Sequence, residues 1–501
     1  MSVGTRLKMI TGGCRMKLNE LTGTIPGKVR MIGDQDTEIL NICGDSRKVQ
    51  PGDLFICVPG LHMDAHDFAP QAVQRGAVAL LVDHPLELEV PQVVVENVRL
   101  AESYVAAQFH GNPAQKMHMI GITGTKGKTT TSFLLKSILE EAGKKVGLIG
   151  TVCSMIGEEV IPSKLTTPDP LDTQAMLQKM AEAGVEYVIM EVSAHALAMD
   201  RLAGIRFDVG AFSNFSQDHL DFFESMDSYF ECKMRFFDPK MTDRIVFNVD
   251  DERIAQGIAA TGREALRVGI REGSDVYVND IEISECGSNF LMTWHKHFRV
   301  SIALKLAGIF NVYNALLAAG VCISLGIGPE AIRRGLEDVR AVPGRIELLE
   351  TGTPYRVILD YAHSPDSLEN ILKAVRETTK GRMIALFGCG GNRDRAKRPL
   401  MGEIAGELAD FCVLTSDNPR NEDPMEILAA IEEGIRGTGC EYVVIENRRE
   451  AIKYALMHAH PSDVVILAGK GHETYQEING VRHPFNEKIV VAELLKEIAG
   501  K

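Results

Sequence analysis

Short apolar runs separated by turn signals characterise the first part of the chain. The runs DLFICVPG and AVALLVD, with the turns Pro51-Gly52 and Pro59-Gly60 nearby, are typical of short strands. A helical stretch, RLAESYVAAQFHG, follows and ends at Gly111-Asn112-Pro113. The pattern predicts a small N-terminal α/β domain over residues 1–112.

The pattern changes after this boundary to longer units. The segment MHMIGITGTKGKTTTSFLLKSILEEAGKKVGLIG predicts a strand, a glycine turn, a helix that stops at Gly143, and a second strand. The apolar positions of that helix are Leu134, Leu135, Ile138 and Leu139. Further strands end at YVIMEVSAH and DVGAFSNFSQDH, so we expect a central parallel α/β sheet over residues 113–342.

Residues 343–501 alternate regularly between strands and helices. Two helix starts are well marked, with Ser364 or Asp423 at the cap and a proline at the first helical position. Several strands end in polar clusters, for example LDYAHS, TSDNPR and LAGKGHE. Because ligands of open α/β sheets bind beyond the carboxyl ends of the strands, we expect a Rossmann-like sheet with a binding site at that edge.

Composition narrows the possible functions and the compartment. The 501 residues carry a formal net charge of −14, which argues against broad binding to nucleic acid or anionic membranes. The 10 cysteines form no C-x-x-C pair, as is typical of reduced thiols in a cytoplasmic protein. No apolar stretch reaches the ~18 residues that span a bilayer. The start of the chain lacks the apolar core of a secretory signal, and we interpret residues 1–15 as a possible disordered extension.

The segment GITGTKGKTTT, at positions 121–131, ends like a phosphate-binding loop but has Ile122 where the standard pattern has glycine. A glycine turn between a strand and a helix N-terminus presents backbone N–H groups and the helix dipole to an anion. Lys128 can reach the β and γ phosphates, and the Thr129 hydroxyl can bind Mg²⁺. The alternative is a glycine turn beside a surface lysine. The sequence predicts a nucleoside triphosphate site and leaves the reaction open.

The pattern T-G-T-x-G-K-T-T resembles the loop of the Mur ligase family, the ATP-dependent amide-bond-forming enzymes of peptidoglycan assembly. The resemblance extends from about Asp45 to Glu473. It implies three α/β domains that bind a UDP-sugar, ATP and an amino acid, in a monomer that acts on small molecules with ATP and Mg²⁺. The implied ATP-binding residues are Gly124, Thr125, Lys126, Gly127, Lys128, Thr129, Thr130, Asn311, Arg345 and Asp360.

The resemblance also assigns catalytic and metal-binding roles. The implied catalytic residues are Lys128, Glu191, His219 and Lys233, and Thr129 joins the last three as a metal ligand. Lys233, in ECKMRFF, resembles the lysine that the family carbamylates, which would turn a cation into an anionic ligand. From the residues alone, Glu191 could instead form a salt bridge at a domain interface. Lys233 could likewise be a solvated surface lysine.

Two further groups of residues resemble substrate-binding segments. DSRKVQPGD, LTTPDP and EVSAHALAMDRL imply contacts to UDP-MurNAc-L-Ala-D-Glu from Ser46, Thr166, Thr167, Ser193 and Arg201. TSDNPRNEDP resembles the motif of the members that add meso-diaminopimelate, which implies binding by Arg393, Asp417, Asn418, Pro419, Arg420, Gly469 and Glu473. The guanidinium of Arg420 can hold the second carboxylate of diaminopimelate, and lysine lacks that carboxylate. Without the resemblance, Arg201 could be a surface arginine and Asn-Pro an ordinary turn.

In the implied reaction, ATP phosphorylates the free carboxylate of D-Glu. An amine of meso-diaminopimelate then attacks the acyl phosphate and displaces phosphate. Alternatives are an L-lysine-adding relative, a folylpolyglutamate synthetase-like ligase, and a P-loop nucleotide-switch binding protein. The chain departs from the common family pattern at Ala194, at Met199 and at Lys126, where asparagine is common. These departures put fine substrate contacts in doubt rather than the activity.

Overall fold

The computed structural model describes residues 15–60, 63–163, 165–220, 222–284, 287–294, 298–376 and 378–499. The predicted N-terminal extension, apart from Arg15, lies outside these ranges. Each predicted domain range, 1–112, 113–342 and 343–501, contains one large sheet, and the boundaries themselves stay a prediction. In the part of the chain that the structure describes, no helix is long and apolar enough to cross a membrane.

The N-terminal sheet has the strand order β2-β7-β6-β5-β4, in which β2 is antiparallel to β7 and the other neighbours are parallel. Asn97 caps the helix that leads out of this unit by accepting a hydrogen bond from the Leu100 amide (3.1 Å). The elements are β1 (Met16–Lys17), α1 (Leu18–Thr22), β2 (Val29–Ile32), β3 (Glu38–Ile39), β4 (Asn41–Cys43), β5 (Asp53–Ile56), α2 (Ala69–Gln74), β6 (Ala79–Val82), β7 (Gln92–Val95) and α3 (Val98–Phe109).

The central sheet has the order β11-β10-β9-β12-β8-β13-β14-β15-β16-β17-β18. Its strands are parallel from β9 to β16, as expected, and antiparallel hairpins extend both edges. The elements are β8 (His118–Thr123), α4 (Lys128–Glu141), β9 (Val146–Ile149), β10 (Cys153–Ile156), β11 (Glu159–Pro162), α5 (Pro170–Glu182), β12 (Tyr187–Glu191), α6 (Ala194–Ala198), β13 (Phe207–Phe212), α7 (Met226–Met234), β14 (Thr242–Asn248), α8 (Glu252–Ala260), β15 (Ala265–Val268), β16 (Val276–Ser284), β17 (Gly287–Trp294), β18 (Phe298–Leu304), α9 (Ile309–Ser324) and α10 (Pro329–Asp338).

Strand β8 is apolar on both faces because helices cover both sides of this sheet. Ile120 and Ile122 pack in the cluster that contains α4 and α9, and Met119 packs in the opposite cluster with α5 and α7. Between them, a Cβ at Gly121 would lie 2.3 Å from the Phe236 ring, so only glycine fits. The strand that carries the phosphate loop is therefore held in the core from both sides.

The C-terminal sheet has the order β19-β20-β24-β21-β22-β23 and is parallel except for β19. The predicted cap at Asp423 is confirmed, because its carboxylate accepts from the Met425 amide (2.8 Å). The elements are β19 (Glu347–Leu348), β20 (Arg356–Asp360), α11 (Pro365–Arg376), β21 (Met383–Phe387), α12 (Lys397–Leu408), β22 (Phe411–Leu414), α13 (Pro424–Ile435), β23 (Glu441–Val444), α14 (Arg448–His458), β24 (Val464–Ala468), β25 (Tyr475–Ile478), β26 (Val481–Pro484) and α15 (Glu487–Ala499).

Candidate active site

The phosphate loop lies between β8 and the N-terminus of α4, as the sequence predicts. Gly124 has φ 140° and Gly127 has φ 80°, and both are backbone conformations that favour glycine. A Cβ at Gly124 would lie 2.0 Å from the Ser213 hydroxyl, and one at Gly127 would lie 2.3 Å from the Asn314 side chain. The two glycines therefore bring the loop backbone close to its neighbours and leave its other side open to an anion.

A cavity of about 550 Å³ adjoins this loop and has walls from both the central and the C-terminal ranges. Its volume lies in the range of small-molecule sites, roughly 300–1,000 Å³. Seven of the predicted ATP-binding residues line it: Lys126, Gly127, Thr129, Thr130, Asn311, Arg345 and Asp360. Gly124, Thr125 and Lys128 lie in the same loop beside it. The cavity, the loop and the helix N-terminus together fit a nucleoside triphosphate.

Two lysines converge behind the loop. The ammonium groups of Lys128 and Lys233 each donate to the Gly124 carbonyl at 2.9 Å, and Lys128 also donates to the Thr125 carbonyl at 2.9 Å. Lys233 is only 1% exposed, so its interpretation as a surface lysine is wrong. Burial, and then the neighbouring Lys128, hold the pKa of Lys233 well below its usual value. Burial also lowers the pKa of Lys128, although Glu191 and Asp218 oppose this.

Glu191 ends β12 and faces the first turn of α4 with no solvent exposure. Its carboxylate accepts from the Thr129 hydroxyl (3.1 Å), the Thr151 hydroxyl (2.7 Å) and the Thr151 amide (3.1 Å). These partners are neutral, so the hydrogen bonds of Glu191 to the described residues do not support the alternative of an interface salt bridge. A buried carboxylate facing a P-loop hydroxyl is an oxygen donor set that suits Mg²⁺.

His219 has a left-handed backbone conformation with φ 56°, and it lies close enough to Lys128 and Lys233 for both to lower its pKa. Burial lowers its pKa to about 4, against the opposing effect of Asp218. The imidazole is therefore neutral at physiological pH, which is the form that binds metal ions. Burial would raise the pKa of Asp218, yet His219 and His363 lower it to about 2. His363 belongs to the C-terminal range, so a charge of that range acts on a carboxylate of the central range at this point.

The structure brings together four of the five residues predicted to bind the UDP-muramoyl peptide. Thr167 donates to the Glu191 carbonyl (2.7 Å) and accepts from the Ser193 amide (3.1 Å). Arg201 donates to the Thr167 carbonyl (3.0 Å), and the Thr166 and Thr151 hydroxyl oxygens lie 3.1 Å apart. This cluster therefore adjoins the Glu191 carboxylate.

Arg201 is half-buried rather than a free surface arginine, and it pairs with Asp169 at 3.1 Å. The fifth residue, Ser46, lies in the N-terminal range, where its hydroxyl donates to Gln71 (3.4 Å).

The residues predicted to bind an amino acid form a second cluster at the ends of β22 and β24. The Asn418 amide donates to the Glu473 carboxylate (2.9 Å), and the buried Lys470 donates to both, at 3.0 Å to Asn418 and 3.1 Å to Glu473. Asp417 is buried, and one of its carboxylate oxygens accepts a hydrogen bond from the backbone N–H of Asn418 (2.7 Å). Its other oxygen has no hydrogen-bond partner among the described residues and would lie 2.5 Å from a Cβ at Gly469.

Arg420 closes this cluster on its exposed side. Its guanidinium donates to the Gly391 carbonyl (2.8 Å) and lies 3.6 Å from the Glu477 carboxylate, with the side chain 24% exposed. Arg393, on the same loop as Gly391, is exposed, and Pro419 is buried. The guanidinium is thus anchored at one end and accessible, which suits recognition of a carboxylate.

Sequence reasoning missed three buried charged residues that support the amino-acid cluster. Lys470 lies within AGKGHE, and this strand-end cluster was the one signal that could have identified it. Arg448 and Glu487 form an ion pair at 2.8 Å with neither side chain exposed, and Arg448 also donates to the Ala468 carbonyl (2.8 Å). Nothing in the local sequence distinguishes these two charges from surface charges.

Three family models match successive parts of the chain. Residues 122–322 match the Mur ligase middle domain, residues 344–471 the Mur ligase glutamate ligase domain, and residues 38–115 the Mur ligase family catalytic domain. A UDP-N-acetylmuramoyl-L-alanyl-D-glutamate–2,6-diaminopimelate ligase of Caldanaerobacter subterraneus is 46% identical over 486 residues, covering 96% of this chain and 99% of that protein. The chain belongs to the Mur ligase family.

Other proteins that are similar to this Mur ligase belong to the same family. The Geobacillus thermodenitrificans protein of the same name is 44% identical over 490 residues, covering 96% of this chain and 100% of its own length. A solved structure of a ligase with that name gives a TM-score of 0.68 at 30% identity, covering 97% of this chain and 100% of the other. The Thermotoga maritima MurF ligase in complex with ADP gives 0.62 at 18% identity, covering 91% and 96% of the two chains, and shows the shared fold.

Proposed function

We propose that this Mur ligase joins meso-diaminopimelate to UDP-MurNAc-L-Ala-D-Glu in an ATP-dependent reaction of peptidoglycan precursor synthesis. The carrying observation is that the Asp417–Arg420 segment, Lys470 and Glu473 form one polar cluster in the same chain as a phosphate loop and its cavity. The names of the relatives at 46% and 44% identity support the choice of amino acid.

The phosphate loop explains how a carboxylate is activated. A carboxylate is a poor electrophile, and its acyl phosphate is a good one. Backbone amides at the start of α4 and the Lys128 ammonium would stabilise the negative charge that develops as the γ phosphate of ATP moves to the D-Glu carboxylate. Arg345 and Asp360 would hold the nucleotide from the C-terminal side of the cavity.

The residues around Glu191 fit Mg²⁺. We propose Thr129, Glu191 and His219 as ligands, since the first two already face each other at 3.1 Å and the third is neutral. Bound there, the ion would neutralise phosphate charge. The fit rests on the chemistry of the donors: two oxygens and one unprotonated imidazole.

Lys233 joins this set only as a carbamate. Burial lowers the pKa of Lys233 and so favours the neutral amine, which attacks CO₂ whereas an ammonium does not, and which releases a proton as the N–C bond forms. The product is an anion beside Lys128, so an attraction replaces the unfavourable burial of a second basic group next to that cation. We propose this modification because it places an anion beside the Lys128 ammonium at the Gly124 carbonyl.

Amino-acid selectivity would come from the C-terminal cluster. Glu473 and Asn418 would accept the distal ammonium of diaminopimelate, and Arg420 would hold its distal carboxylate. Lysine has no such carboxylate and would leave the guanidinium without this partner, which is a strong basis for rejection. Arg201 and the Thr166–Thr167 turn, which adjoin Glu191, would hold the muramoyl peptide with its D-Glu carboxylate near that residue.

The decisive experiment is a product assay with two amino acids. The protein is incubated with Mg·ATP and UDP-MurNAc-L-Ala-D-Glu, plus either meso-diaminopimelate or L-lysine, and the products are weighed. We expect the tripeptide with diaminopimelate only. Addition of lysine would favour an L-lysine-adding ligase. ATP hydrolysis without either product would favour the folylpolyglutamate synthetase-like or nucleotide-switch alternatives.

A variant of Lys128 tests whether product formation depends on the phosphate loop. Lys128→Ala should abolish turnover, and normal turnover in that variant would contradict the assignment of the loop.

We further propose that the enzyme is a cytoplasmic monomer. Support for the compartment comes from the eight described cysteines, which are all free thiols.

A further inference from the structure

Lys126 connects the phosphate loop to the C-terminal range. Its backbone is fixed within the central range, because its amide donates to the Asn214 side chain (2.9 Å) and its carbonyl accepts from Ser213 (2.6 Å) and Asn214 (3.0 Å). Its side chain reaches the other way, and the ammonium lies 3.1 Å from the Asp366 carboxylate. Asp366 is in the first turn of α11, which follows the strand that carries Asp360.

The charged atoms that face each other in this ion pair are buried, although the two side chains are 22% and 38% exposed and line the nucleotide cavity. The Lys126 nitrogen and one Asp366 oxygen form no hydrogen bond to another described group, and Asp366 is the carboxylate that acts most strongly on Lys126, ahead of Asp218 and Glu369. The loop already contains Lys128 and adjoins Lys233. A further cation beside Lys128 would be unfavourable without an anion, and Asp366, on α11 of the C-terminal range, supplies one.

We propose that Asp366 is a positioning residue that, through Lys126, latches the C-terminal range over the phosphate loop. This inference deepens the proposed function and rests on it, because the latch would hold the amino-acid cluster at reacting distance from the activated carboxylate. Removing one member leaves a shielded charge without its counter-ion. Removing both leaves no such charge, so the two residues should be energetically coupled.

The test is a double-mutant cycle on the full-length enzyme with Asp366→Asn, Lys126→Asn and the double variant. Asp366→Asn alone should lower kcat by about tenfold, within the range typical of coupling between sites. Its dissociation constant for Mg·ADP should change by less than about threefold, because Asp366 does not carry phosphate-binding charge. In the Lys126→Asn background, Asp366→Asn should cause no further loss of kcat.

Small-angle X-ray scattering supplies a readout that does not depend on turnover. With Mg·ADP, the radius of gyration of Asp366→Asn should exceed that of the wild type, because the C-terminal range is held less closely. Glu140→Gln is the matched control. It removes the partner of another shielded lysine, Lys136 (2.6 Å), but within the single helix α4, so kcat and scattering should equal those of the wild type.

Equal losses of kcat from Asp366→Asn in both backgrounds would overturn the latch, as would scattering that matches the wild type. A wild-type protein that makes no tripeptide would instead refute the proposed function. The scattering and Mg·ADP-binding comparisons would still test the contact between Lys126 and Asp366, so the two failures are distinguishable.

Discussion

Replacing Lys470 tests whether its buried ammonium holds the side chains of the amino-acid cluster in place. Its side chain has no solvent exposure, and its ammonium donates to Asn418 at 3.0 Å and to Glu473 at 3.1 Å. It also acts on Asp417. Burial alone would raise the pKa of that carboxyl, but Lys470 and Arg448 hold it below its usual value. The perturbation is Lys470→Met, which keeps an unbranched side chain of similar length and removes the charge.

The expected loss follows from these contacts. Removing one partner of a buried ion pair costs about 3–5 kcal/mol, because the remaining charge has no counter-ion. Here Glu473 keeps the Asn418 amide at 2.9 Å, while Asp417 loses one of the two cations that stabilise its charge. We therefore expect a value near the lower limit, about 3 kcal/mol, which lowers the melting temperature of a domain of this size by about 10 °C.

Calorimetry and steady-state kinetics measure the two consequences. The melting transition of the C-terminal range should shift, and the KM for diaminopimelate should rise about tenfold, because misplacing the groups that hold a substrate weakens its binding. The KM for ATP should not change. The matched control is Lys488→Met, since Lys488 pairs with Glu347 at 2.6 Å with its side chain 43% exposed, and such surface pairs contribute about 0–1 kcal/mol. If the two variants melted alike and bound diaminopimelate alike, the buried network would not have the role argued for it.

Three further predictions concern charge. Lys233→Arg should lose at least about 100-fold in turnover while still binding Mg·ADP, because arginine stays protonated and forms no carbamate; full turnover would exclude the carbamate. Arg420→Lys should lower kcat/KM for diaminopimelate by about 100-fold and reduce discrimination against lysine, since the planar two-point contact is lost; unchanged selectivity in the product assay would place recognition elsewhere. His219 and His363 have pKa values of about 4 against 6.5 for an unperturbed histidine. The unfolded chain therefore binds more protons between these values, and stability should fall as pH drops from 6.5 to 4. His363→Gln should flatten this dependence in thermal melts, and equal slopes would refute its contribution.

Local patterns were sufficient for the elements that carry the chemistry. The glycine turn before Lys128, the stop at Gly143 and the proline-led start of α13 depend on backbone conformations that few residues can adopt, so they are visible in the sequence. The resemblance to Mur ligases then indicated which strand-end residues to examine, including Glu191 and Asn418. The antiparallel edges of the central sheet were not foreseen, because short apolar runs do not reveal strand direction.

The sequence by itself determined the α/β class, the phosphate loop and the family. Only the tertiary structure decided which charges are shielded and which groups they face. Lys233 has the local context of a surface lysine, yet it is 1% exposed and shares a carbonyl with Lys128. Lys126 and Asp366 lie far apart in the chain but 3.1 Å apart in space. Burial and pairing arise from the packing of distant segments, and no local pattern of residue types encodes them.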